Sequence, residues 1–84
     1  MTFPAQEGSW EVHCSGIVAA TIRRVQRQAK SEGRGEQAIR AMERIGWRLT
    51  MDPQHFGEPL YRLPALQMQV RHAVVRPLAV DFGV

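Results

Sequence analysis

The prediction of the fold starts from residues 66–84, LQMQVRHAVVRPLAVDFGV. Apolar side chains alternate with polar or small ones in both halves: Leu66, Met68, Val70 and Val74 in the first, and Leu78, Val80, Phe82 and Val84 in the second. Alternation of this kind is typical of a strand with one buried face, and Arg76-Pro77 between the halves favours a turn. The stretch therefore predicts two neighbouring antiparallel strands. By this alternation Arg71 lies on the polar side of its strand and His72 on the buried side.

The upstream chain predicts two helices that cover this sheet. Ser15 is a suitable N-cap for a helix over residues 16–30, which carries an apolar stripe at helical spacing. Residues 36–49 repeat that spacing after a glycine-containing break. Two such helices with a short loop are typical of an antiparallel helical hairpin. Shorter strands are predicted at residues 9–14 and 60–63.

The predicted order of elements is β-α-α-β-β-β. It predicts an α+β fold, a two-layer sandwich in which the helical hairpin packs on a small, mainly antiparallel sheet. The first strand, being joined through the helices, could pair in parallel at a sheet edge. The 84 residues predict a single domain spanning residues 1–84, with a loose leader at 1–8. The last strand would leave an exposed edge, which is a possible site of homo-oligomer formation.

Composition excludes some classes of protein. No apolar run approaches the roughly 18 residues of a membrane span, and the N-terminus has no basic segment followed by an apolar one, so no membrane association and no secretory signal are predicted. The single cysteine, Cys14, cannot form an internal disulfide, which indicates a reducing, cytoplasmic setting.

The positive charge is concentrated in the middle of the chain. The net charge is +3, and eight of the eleven basic residues fall between positions 23 and 48. Such a basic region favours a nucleic acid or an acidic protein as partner, although a solvated helical face would carry the same charges. The candidate binding residues are Arg23, Arg27, Arg40, Arg44 and Arg48 on the helices, Arg62 on the short strand, and Trp47.

Trp47 lies opposite the apolar stripe of its helix. Either the following loop covers it, or it is an exposed aromatic anchor beside arginines, a combination enriched at binding hot spots. The sequence leaves both alternatives open.

Catalytic motifs are sparse. There is no glycine-rich phosphate loop, and the spacing of His13, Cys14, His55 and His72 matches no zinc signature, so neither a metal nor a cofactor is expected. A sheet face with arginines could instead bind a phosphodiester. In RNA cleavage the 2′-hydroxyl would attack, His72 or a carboxylate would take its proton, and Arg71 and Arg76 would stabilise the developing charge. Alternatively, His72 is a partly buried, hydrogen-bonded residue of the core.

Four segments that accompany the helical hairpin resemble the RelE/ParE superfamily of toxins: AMERIGWRLTMDP, HFGEPLYRL, LQMQVRHAVV and PLAVDFGV. The resemblance covers nearly the whole chain from Ser9 onward. It implies a cytoplasmic toxin of a type II toxin–antitoxin module that is held inactive by an acidic antitoxin. RelE-like members cleave mRNA on the ribosome, and ParE-like members inhibit DNA gyrase. Arg71 and Arg76 would take the family's basic strand positions.

The chain departs from the family pattern at its C-terminal end. Family members continue beyond the position of Val84 with a further strand and a basic or aromatic tail. RelE-like ribonucleases often place a catalytic tyrosine or lysine in that tail. Tyr61 and Lys30, the only tyrosine and lysine of this sequence, lie elsewhere. We therefore expect a truncated or degenerate member, or one that acts by binding alone. The alternative is a small non-catalytic domain that binds nucleic acid or protein.

Overall fold

The computed structural model describes residues 2–3 and 10–84, and within those residues an α+β fold is present. Its elements in chain order are β1 (Thr2–Phe3), β2 (Val12–His13), α1 (Gly16–Ser31), α2 (Gly35–Met51), β3 (Glu58–Leu63), β4 (Met68–Val75) and β5 (Leu78–Gly83). Single 3-10 turns at Pro53–His55 and Pro64–Leu66 precede β3 and β4. The predicted helical hairpin and antiparallel meander are confirmed. No helix in the described part of the chain is long and apolar enough to cross a membrane.

The two helices begin and end where local sequence signals place them. The Val18 N–H donates to Ser15 Oγ at 3.1 Å, which confirms the predicted N-cap of α1. Gly33, with φ of 76°, lies in the loop that follows. Helix α2 continues two residues further than the periodicity predicts and stops before Pro53, because the residue before a proline avoids helical angles.

Helix α2, rather than the whole hairpin, covers the sheet. The central core cluster joins Ile45 and Leu49 of α2 to Phe56 of the following loop and Ala73 of β4. Half-buried apolar residues surround this cluster: Val12, Val75, Leu78, Val80 and Phe82. Helix α1 packs on α2 and, among the described residues, adds no member to the central cluster.

A cleft of about 460 Å³ remains between α1, α2 and β5. Val18, Ile22 and Val25 of the predicted α1 stripe line it, and Val18 is therefore 44% exposed. Most of that stripe lines an open cleft instead of packing on the sheet, because α1 stands away from the strands.

The main sheet has the strand order β3-β4-β5, and both pairs are antiparallel. Val75 lies opposite Leu78 across a two-residue turn, and Ala73 lies opposite Val80. Directly opposed residues point to the same face, so the odd-numbered residues of β4 share the buried face of β5. The predicted buried face of β5 is confirmed, since Leu78, Val80 and Phe82 are half-buried at alternating positions.

The predicted faces of β4 are wrong. Arg71 lies opposite Phe82 and shares the side of the sheet that α2 covers, whereas His72 lies opposite Asp81 on the other face of β4, and both of these residues also line the cleft beside β5. Met68, Val70 and Val74, the apolar residues predicted to be buried, also lie on the face of β4 away from α2, and Val74 is 58% exposed. The two-residue turn fixes the register of β4 against β5, and a register set by the turn overrides the count of apolar residues.

The first strand also differs from its prediction. Of its described residues, 10–14, only Val12–His13 form a strand, which pairs antiparallel with Thr2–Phe3 in a separate two-stranded sheet instead of parallel at an edge of the main sheet. Trp10 N–H donates to Thr50 O at 2.6 Å, which connects this segment to the end of α2. The remainder of the predicted leader, and Ser9, lie outside the described residues.

Gly57 provides a test of how closely the loop approaches β4. Its φ is 71°, and a Cβ there would overlap the His72 carbonyl oxygen and lie 2.8 Å from Ala73 Cβ. We expect Gly57→Ala to lower the free energy of unfolding by about 2–5 kcal/mol, from the left-handed backbone and the overlap together.

Gly33→Ala is the matched control, because Gly33 has a similar φ of 76° but open space around it. The free energy of unfolding of Gly33→Ala should fall by only about 1–2 kcal/mol, which is the cost of the left-handed conformation. Urea unfolding measures both variants. Equal losses would contradict the close approach of Gly57 to β4.

Candidate functional site

Arg71 is engaged in the fold. Its Nε donates to Phe56 O at 2.9 Å and its Nη2 donates to Gly57 O at 2.9 Å. The side chain is half-buried on the helix-facing side of β4. These bonds hold the loop between α2 and β3 against the sheet, and they use the planar fork that would otherwise bind phosphate.

The far face of the sheet carries acidic groups where the sequence predicted arginines. His72 Nδ1 lies 2.5 Å from Asp81 Oδ1, and Glu58 on β3 lies opposite His72 on the other side. Arg62 pairs with Gln69 and therefore shares a face with Arg71, not with His72. The predicted wet face bearing Arg71 is thus wrong.

The three candidate catalytic residues are not brought together. Arg71 and His72 point to opposite sides of β4, because neighbouring residues of a strand do so. Arg76 is exposed in the turn between β4 and β5. A phosphodiester at one position could not lie between Arg71 and His72 in this arrangement.

The arginines of the helical hairpin differ in how they are used. Arg40 Nη2 donates to Glu36 Oε1 at 2.5 Å, one helical turn away. Arg48 is half-buried, with its guanidinium carbon 4.9 Å from the centre of the Phe56 ring. Arg23, Arg27 and Arg44 are exposed.

Arg34, in the loop between the helices, is also partnered. It forms an ion pair with Glu32, and its hydrogen bond is the main cause that lowers the pKa of that carboxyl, with a second hydrogen bond from Gln28. Because of this ion pair, Arg34 is less suited than the unpaired arginines to bind an anionic partner.

A basic groove of about 600 Å³ lies between α1 and α2 near their loop. Its lining residues are Arg23, Gln26, Arg27 and Lys30 from α1, and Gly35, Glu36 and Ile39 from α2. The sequence indicated its cations, since positions 23, 27 and 30 recur at helical spacing. It did not indicate Gln26 and Ile39, whose places in the groove follow from how the helices pack.

Trp47 is exposed. Its relative accessibility is 62%, so the following loop does not cover it. Arg44 lies one turn before it and Met51, 48% exposed, one turn after it on the same face. This outer face of α2, defined by Arg44, Trp47 and Met51, combines an aromatic side chain with a cation in the way that binding surfaces often do.

Among the residues that the structure describes, no three His, Cys, Asp or Glu side chains converge as ligands of a metal would. The chain matches no protein-family model, and searches of curated proteins and of solved structures give no significant match. The RelE/ParE likeness therefore stays a prediction from the sequence pattern.

The exposure of Trp47 can be tested by its effect on stability. Trp47→Ser should change the free energy of unfolding by less than about 0.5 kcal/mol, because surface substitutions away from special contacts do little. Ile45→Val, on the buried face of the same helix, should lose about 1 kcal/mol. Chemical denaturation of the two variants checks this, and a loss above about 2 kcal/mol for Trp47→Ser would show that its indole is packed.

Proposed function

We propose that this chain is a RelE/ParE-like toxin domain of a type II toxin–antitoxin module and that it acts through its helical hairpin. The helical hairpin followed by an antiparallel meander supports this proposal, because it is the element order that the resemblance implies. We choose the hairpin as the contact surface because it carries exposed arginines and the arginine of β4 is not free. Arg71 is hydrogen-bonded to the loop before β3, whereas Arg23, Arg27 and Arg44 are exposed.

The toxin acts by binding, without cleaving RNA. The separation of Arg71, His72 and Arg76 supports this, since general acid–base catalysis needs its groups within reach of one substrate. Its target is the translating ribosome or DNA gyrase, in the cytoplasm.

The partner that restrains it is an acidic antitoxin. We take the outer face of α2 as the surface that contacts the target and that this antitoxin covers, because Trp47 offers an anchor and Arg44 a complementary charge. A second copy of the chain would pair through β5, one of the two edge strands of the three-stranded sheet.

A second candidate function is a small non-catalytic domain that binds nucleic acid or protein without toxicity. The basic groove favours it, because three cations line one wall of a concave surface.

Induced expression in bacteria tests the first proposal. We expect growth arrest without cleavage of translated mRNA. The double variant Arg44→Gln/Trp47→Ser should restore colony counts by about tenfold or more if this face contacts the target, since loss of a hot spot costs on the order of 2 kcal/mol of binding.

Arg62→Gln is the control, because Arg62 is an exposed arginine on the sheet. Folded protein that accumulates without arrest would favour the non-toxic binding domain. Arrest with mapped mRNA cleavage would contradict action by binding alone, and relief by Arg62→Gln but not by the double variant would place the contact on the sheet.

A further inference from the structure

We propose that the basic groove between α1 and α2 binds the backbone of a single-stranded nucleic acid. The inference rests on the proposed function only in taking the hairpin as a contact surface. It names the ligand and places it in a groove separate from the outer face of α2.

The first wall of the groove is a row of cations. Arg23, Arg27 and Lys30 follow one another at four and three residues along α1, a run of roughly 10 Å. Within the described residues, no carboxylate forms an ion pair with any of these three side chains. A row of unpaired cations on one helix suits the repeated charge of a phosphodiester chain.

The second wall does not neutralise that row. Glu36 is the one carboxylate among the lining residues, and Arg40 binds it at 2.5 Å. Gly35 begins α2, and no side chain caps the N–H groups of that first turn. Ile39, 51% exposed, adds apolar surface against which a sugar or base can lie.

The arrangement of the cations favours a single strand over a duplex. The three cations form one row on one wall of the groove, whereas a duplex presents two rows of phosphates across a major groove about 12 Å wide. One row of three cations between two close helices matches one phosphate backbone. An acidic amphipathic peptide has exposed Trp47 and Met51 as anchors on the outer face of α2 instead.

Binding of a labelled short oligouridylate to the full chain, followed by fluorescence anisotropy, tests the inference. Contacts with three phosphates predict a slope of about −2 in a plot of log affinity against log salt, at roughly 0.7 per phosphate for single strands. A duplex RNA of the same length and a polyglutamate peptide serve as competing probes, and both should compete poorly.

Two charge-matched variants locate the contact. Arg27→Gln removes a groove cation and should reduce affinity by about threefold to tenfold and make the slope shallower by about 0.7. Arg24→Gln removes the same charge from an exposed position of α1 that does not line the groove, and its affinity should stay within about twofold of the parent. Circular dichroism confirms that both variants are folded.

Three outcomes of these binding assays overturn the inference. Equal losses for Arg24→Gln and Arg27→Gln would show diffuse attraction to the whole positive surface. Stronger binding of the duplex would exclude a single-strand groove, and stronger competition by polyglutamate would assign the groove to an acidic protein. If the chain binds oligouridylate but causes no growth arrest, the toxin proposal is refuted and this inference stands. If it causes arrest but does not bind oligouridylate, this inference is refuted and the toxin proposal stands.

Discussion

The fold depends on two hydrogen bonds from Arg71 to the carbonyl oxygens of Phe56 and Gly57. They bring the loop after α2 onto β4, where Gly57 approaches so closely that no side chain would fit. Phe56 then enters the core, 6% exposed, with its ring centroid 5.6 Å from that of Phe82. A domain of 84 residues buries little apolar surface, so one aromatic side chain that joins helix, loop and sheet contributes a large share of the core.

This use of Arg71 determines where the positive charge is available for binding. Two of the donors on its guanidinium are occupied, and the far face of the sheet carries Glu58 and Asp81 on either side of His72. Most of the exposed cations without an ion pair among the described residues lie on the hairpin, in the groove between the helices and beside Trp47 on the outer face of α2, while Arg62 and Arg76 are exposed on the sheet and its turn. The hairpin therefore carries more of the exposed positive charge than the sheet does.

The sequence predicted the helices and the final strand well because their patterns are local. Ser15 caps α1 as its residue type predicts, and the alternation of β5 gives its buried face directly. The faces of β4 were predicted wrongly because Met68, Val70 and Val74 outweigh the small Ala73 in any count of apolar residues. The two-residue turn at Arg76-Pro77 was the better guide, since it sets Val75 opposite Leu78. The role of Arg71 and the placement of Ile39 in the groove depend on contacts between distant segments, which periodicity does not contain.

The substitution Arg71→Met distinguishes a structural role of Arg71 from a binding role, when urea unfolding and oligouridylate binding are measured on the same preparation. The loss of two hydrogen bonds, of which the one to Phe56 O is part-buried, predicts that the free energy of unfolding falls by about 1–3 kcal/mol. Arg62→Met, on the exposed strand β3, should lose less than about 0.5 kcal/mol. Oligouridylate affinity should be unchanged in Arg71→Met under conditions where it is folded. Unchanged stability together with lost affinity would contradict the account, because it would make Arg71 a binding residue and not a support of the core.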